Sequence, residues 1–201
     1  MYLLRSITKP EIKKYKSDGF VILKNIIKKK YTTNIIKEIK SVSLDQLSKN
    51  KLLKYKDKKL STIIKYAFKK KESDLRFFLY HRLRSVPTLQ SLCFSDNLLD
   101  QLKSINHKMP SCVQKPTIRF DIADENRHKL QAHQDIRAIL CKMCTTVWIP
   151  LTKVNKINGS IKVYKKSHKE GILKHIFDKN NQSMLENVNI LNKFEEVVID
   201  S

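Results

Sequence analysis

The chain reads as α+β, with helices packed outside a sheet or jelly roll. Three observations carry that reading. Apolar residues recur at helical spacing through the first half, alternate with period two from about Cys112 onward, and in the second half are divided by turn signals such as Asn158-Gly159. At 201 residues, with 41% hydrophobic and 30% charged, the chain is long and apolar enough for one domain with a buried core. Its expected parts are a mainly helical 1–111 and a β-rich 112–201.

Pro10 stands near a helix start, and Glu11 to Ser17 forms a short polar helix stopped at Asp18-Gly19. Phe20-Val21-Ile22-Leu23 suits a short buried strand. Thr32 or Thr33 caps a helix that carries Ile35, Ile39 and Val42 on one face. Leu60, Ile63, Ile64, Ala67 and Phe68 mark a further helix, and Leu75, Phe78, Leu79 and Leu83 another. Ser95 caps one bearing Leu98, Leu99, Leu102 and Ile105. These stripes read as core packing. Strands are expected over Pro116 to Ile122, Gln131 to Asp135, Ile139 to Ile149, Ser160 to Tyr164 and Glu196 to Asp200, with Asn158-Gly159 joining neighbouring strands.

Composition removes several function classes. The three glycines, at 19, 159 and 171, lie too far apart to build a P-loop or a dinucleotide-binding turn. Four cysteines make no disulfide scaffold. Cys141 and Cys144, three apart on a strand, point to opposite faces and lack a second pair to close a zinc site. No apolar run approaches the roughly 20 residues of a membrane helix, and the start is too short in apolar residues for a secretory signal, so a cytoplasmic protein without membrane insertion is expected.

The net charge of +22 suits an anionic partner, but 34 of the 41 basic residues are lysine. They travel with Ile and Asn, as an AT-rich coding sequence supplies. Residues 1–111 hold 26 basic and 9 acidic residues, with dense runs such as Lys28-Lys29-Lys30 and Lys69-Lys70-Lys71 that read as solvated helix ends and loops. No zinc-finger spacing or aromatic-rich RNA-binding strand accompanies them, so no specific nucleic-acid recognition is expected.

The chemistry lies in Ala132-His133-Gln134-Asp135. Side chains two apart on a strand face one side, so His133 and Asp135 project together. An imidazole beside a carboxylate is two thirds of the facial triad that holds non-haem Fe(II) with open coordination positions. A hydrogen-bonded strand pair is the alternative for so short a pattern. The strand from Ile139 supports a polar site: one face carries Ile139, Cys141, Met143, Thr145, Val147 and Ile149 and suits packing under the N-terminal helices. The other carries Leu140, Lys142, Cys144, Thr146 and Trp148, the mixed lining of a barrel interior, with Lys142 placed for an anion or for solvent. His168 reads as structural, His175 as part of an exposed segment, and His81, His107 and His128 as surface or capping residues.

In order, Asp18-Gly19-Phe20-Val21-Ile22-Leu23, His133-Gln134-Asp135, Trp148-Ile149-Pro150-Leu151-Thr152, Asn158-Gly159-Ser160-Ile161-Lys162-Val163 and Ser167-His168-Lys169-Glu170-Gly171 resemble the phytanoyl-CoA dioxygenase family of Fe(II)/2-oxoglutarate oxygenases, from about residue 8 to the end. The resemblance implies a double-stranded β-helix (jelly-roll, cupin-like) core with helices outside. It implies Fe(II) as metal, 2-oxoglutarate as cosubstrate, and molecular oxygen and a small organic molecule as partners. His133 and Asp135 match the first two metal ligands, Trp148 a tryptophan beside the cosubstrate, and Arg119 a position lining the same pocket, with a surface or ion-paired arginine as the plain alternative. The family's second histidine and its carboxylate-binding arginine have no match: no histidine follows His175 and no arginine follows Arg137. The roll is therefore expected to be incomplete at the C-terminus, and the chain to turn over little. A catalytically inactive binding or scaffold protein of the same fold is the alternative, and a basic nucleic-acid binder a third class. Substrate and oligomeric state are not legible.

Overall fold

Thr8 and Glu11 begin the chain's first helix by satisfying each other's backbone. Glu11 N–H donates to Thr8 Oγ1 at 3.4 Å, and Thr8 N–H donates to Glu11 Oε2 at 2.9 Å. Pro10 occupies the first turn, where its missing N–H costs nothing. The helix, α1 (Lys9–Asp18), ends on Gly19 at φ +86°, as the sequence predicts. The computed structural model describes residues 5–46, 54, 57–69, 73–105, 108–111, 116–121, 130–135, 144–178 and 182–200, the side chains of 67–77 excepted. These fall into two compact units, residues 1–6 with 24–120, and residues 7–23 with 121–201.

The first unit is helical. It holds α2 (Lys29–Asp45), α3 (Leu60–Lys69), α4 (Ser73–Leu83), α5 (Pro87–Cys93) and α6 (Asp96–Ser104). Helix α2 packs against α3, α4 and α5. Ile35, Ile39, Ile63, Leu79 and Leu83 are its most buried side chains, so the expected stripes reach the core at these positions, whereas Val42, Leu98, Leu99 and Leu102 are half-buried. Each such burial contributes about 1.5–3 kcal/mol. Ser43 is buried on the same face, and its hydroxyl donates to Ile39 O at 2.7 Å, which removes the cost of an unpaired polar group. Thr32 and Thr33 are not the cap: Lys28 holds that position, and Thr32 lies inside the helix with its hydroxyl donating back to Lys29 O. Ser95 does precede α6, but its hydroxyl donates to Leu92 O rather than into the helix.

Helix α5 was not expected from the sequence. Val86 offers it no side-chain cap, and Glu38 of α2 takes that part. Thr88 N–H donates to Glu38 Oε2 at 3.0 Å and the Thr88 hydroxyl bonds Oε1. A carboxylate at a helix start satisfies free N–H groups and meets the positive end of the helix dipole. The pair Leu89 and Leu92 then seats the short helix in the core.

The second unit carries α1 and four short strands: β1 (Ile161–Tyr164), β2 (His175–Phe177), β3 (Ser183–Leu185) and β4 (Glu196–Ile199). Antiparallel β1 and β4 pair Ile161 with Ile199 and Val163 with Val197; antiparallel β2 and β3 pair His175 with Leu185. The expected strands at 160–164 and 196–200 are thus present. Among the described residues the sheets are these two pairs, and no jelly roll is formed by them.

Four expected strands have no ladder where described: 20–23, 116–121, 131–135 and 144–149. Period-two patterning specifies extended backbone, but a strand exists only where a neighbour completes its hydrogen bonds. Ile22, expected to be buried, is 46% exposed. Residues 122 and 139–143 lie outside the described residues. The Asn158-Gly159 turn forms, with Gly159 at φ +117° and Asn155 Oδ1 accepting from Ile157 N–H and Asn158 N–H. It does not make a hairpin, since the strand after it pairs with β4.

Candidate metal centre

His133 and Asp135 come together as their spacing predicts. His133 Nε2 stands 3.4 Å from Asp135 Oδ1, with the side chains 28% and 41% exposed. The other ring nitrogen, Nδ1, lies 2.7 Å from Gln131 O. A carbonyl only accepts, so Nδ1 carries a proton and donates it. With a neutral ring, the Nε2 lone pair then faces a carboxylate oxygen. Two acceptors at that distance are stable only with a positive charge between them: a second ring proton, or a cation bound to both. A ring whose far nitrogen is tied to a backbone carbonyl is the usual arrangement for a metal-binding histidine.

Asp135 is prepared for the charged state. Thr146 Oγ1–H donates to its second oxygen, Oδ2, at 2.6 Å. Its pKa is held below the ordinary carboxylate value, first by the hydrogen bond with His133 and then by that with Thr146, while partial burial acts the other way. A carboxylate ligand must be ionised to bind a cation, and of these contacts the Thr146 hydrogen bond is the one that a metal on His133 Nε2 would leave in place.

The segment carrying Thr146 follows the predicted alternation at its two threonines, but Val147, expected to pack under the helices, is 43% exposed. Thr145 pairs its hydroxyl with that of Tyr15 on α1, at 2.8 Å, whereas Thr146 turns to Asp135. Trp148, two residues on, is half-buried. Arg119 is an exposed residue of the first unit, and Lys142 lies outside the described residues.

The histidines after Asp135 differ from each other. His168 lies in a one-turn 3-10 helix, Ser167–Glu170, against the end of α1, where its Nε2–H donates to Lys16 O at 3.3 Å. A Cβ on Gly19 would stand 2.3 Å from His168 Nδ1, so glycine is required there for close approach as well as for its positive φ. This is the structural role expected. His175 corrects the sequence reading in part: its segment is exposed at Ile172, Lys174, Ile176 and Phe177, but His175 itself is 7% exposed, where it opens β2 and accepts a hydrogen bond from the Gln134 backbone. Gln134, Thr146 and His175 are the residues that motif reading passes over. For Thr146 the alternating pattern was a usable signal; for His175 none exists.

The residues fit two of the donors a non-haem iron site needs. Among the described residues no group of three His, Cys, Asp or Glu side chains comes together. A helical part and a small β part make this an α+β protein, with His133 and Asp135 side by side in the second unit. The phytanoyl-CoA dioxygenase (PhyH) family model matches residues 15–191, and the chain belongs to that family. Its members are Fe(II)- and 2-oxoglutarate-dependent dioxygenases. No curated protein and no solved structure gives a significant match. Among the described residues no helix is long and apolar enough to cross a membrane.

Proposed function

We propose that this protein is an Fe(II)- and 2-oxoglutarate-dependent dioxygenase that hydroxylates a small organic molecule, with His133 and Asp135 as metal ligands. The observation that carries the reading is His133 Nε2 standing 3.4 Å from Asp135 Oδ1, with Nδ1 tied to Gln131 O, in a chain of the phytanoyl-CoA dioxygenase family. Bound Fe(II) with oxygen supplies the oxidation, in which decarboxylation of 2-oxoglutarate to succinate and carbon dioxide is coupled to placing one oxygen atom on the substrate. The chain's own groups do the positioning. Gln131 O holds the imidazole in its Nδ1–H form, and Thr146 holds the carboxylate rotamer and its charge. Trp148 is a proposed contact to 2-oxoglutarate, and a double-stranded β-helix core is proposed, both on family membership.

Among the described residues the site has two protein donors, which hold a cation less firmly than three, so weak metal binding is expected. The test is Mn(II) titration, with succinate formation under Fe(II) beside it. His133→Ala and Asp135→Ala should each abolish binding at concentrations that saturate the unmodified protein. Metal binding that both variants retain removes the assignment. No binding by the unmodified protein favours the inactive binding or scaffold protein instead.

A further inference from the structure

Gln134, between the two proposed ligands, is held by both ends of its side-chain amide and by its backbone N–H. Its Oε1 accepts from Leu173 N–H at 2.9 Å, and its Nε2–H donates to Gly171 O at 2.8 Å. Its backbone N–H donates to His175 Nε2 at 2.9 Å. Just before it, Ala132 O accepts from Leu185 N–H at 2.8 Å. His175 is fixed in turn, since its Nδ1–H donates to Leu173 O at 2.8 Å. An amide N–H only donates and a carbonyl only accepts, so the ring must carry its proton on Nδ1 and a lone pair on Nε2. Both nitrogens of this buried ring are occupied within the protein, which leaves it no lone pair for a metal.

Residues 130–135 have no strand ladder, so these bonds to β2, β3 and the turn before β2 take its place. The Gly171 and Leu173 backbones hold the Gln134 side chain, and His175 holds the peptide N–H that joins His133 to Gln134, so the backbone between the two donors is fixed. We infer that His175 is a positioning residue for the metal pair: by accepting the Gln134 amide it sets the separation of the His133 and Asp135 donors. The inference rests on those two residues being metal ligands.

The experiment compares His175→Gln, whose side-chain oxygen reaches where Nε2 stands, with His175→Leu, which fills space without an acceptor. Mn(II) affinity of the full chain is measured with hydrogen exchange of the Gln134 amide in metal-free protein. His175→Gln should keep the amide protected and the dissociation constant within about threefold. His175→Leu should lose protection and weaken Mn(II) by about tenfold or more, the usual effect of removing an outer-shell partner. A folded His175→Leu with unchanged exchange and unchanged Mn(II) affinity overturns the inference. Should that variant not fold, His175→Met serves, and in the unmodified protein a nitrogen–nitrogen coupling across the Gln134–His175 bond must be seen by NMR; its absence also overturns it. Loss of Mn(II) in His133→Ala without loss in His175→Leu refutes only the positioning role. Binding that ignores His133→Ala removes the ligand assignment and the inference with it.

Discussion

Replacing Thr146 with valine tests the preparation of Asp135 with almost no change of shape. The variant removes the hydroxyl that donates to Asp135 Oδ2 at 2.6 Å and leaves a methyl group in its place. A hydrogen bond to a charged group contributes about 1.5–3 kcal/mol. Thr146 is exposed, so water replaces part of that, and about 1 kcal/mol is the expected loss. Felt by the ionised form of Asp135, this converts to about fivefold weaker Mn(II) binding and a carboxyl pKa raised toward its ordinary value. The assays are Mn(II) titration and carboxyl-carbon NMR of Asp135 against pH. Tyr15→Phe is the control. It removes the partner of Thr145, on the other side of the same backbone, and should lower stability slightly with Mn(II) affinity unchanged. Equal Mn(II) affinity and an unmoved Asp135 titration in Thr146→Val would refute the reasoning, as would equal losses in both variants.

Three further outcomes are expected. Asp135 has a folded pKa below its unfolded value, so its contribution to stability is full above about pH 3.9 and is lost as pH falls through the folded pKa. Thermal midpoints against pH should show that acid-side component in the metal-free protein and lack it in Asp135→Asn. Gly19→Ala places a Cβ on the His168 ring at φ +86° and should destabilise by about 1–3 kcal/mol in urea unfolding. His168→Ala in the same chain should recover the steric share and leave the backbone share. Glu38→Ala leaves the start of Pro87–Cys93 without its carboxylate and should cost about 1–2 kcal/mol, with faster hydrogen exchange at Thr88.

Features set by short-range rules were legible in the residues. The His133–Asp135 pair follows from period-two geometry, and so does the division between Thr145 and Thr146. Gly19 ends its helix because no other residue takes its dihedrals without cost. The buried stripes of α2, α3 and α4 follow from 3.6-residue periodicity. What tertiary structure alone decided are the partners far along the chain. Ile161 pairs with Ile199, Glu38 caps a helix 50 residues away, and His175 grips Gln134 from 41 residues on. Local periodicity says which way a side chain points, but it carries no information on what stands there to meet it. Hydrogen bonds between distant segments form only once the backbone has brought them within about 3 Å. A histidine with no motif around it is therefore surface or buried, ligand or clamp, according to the fold alone.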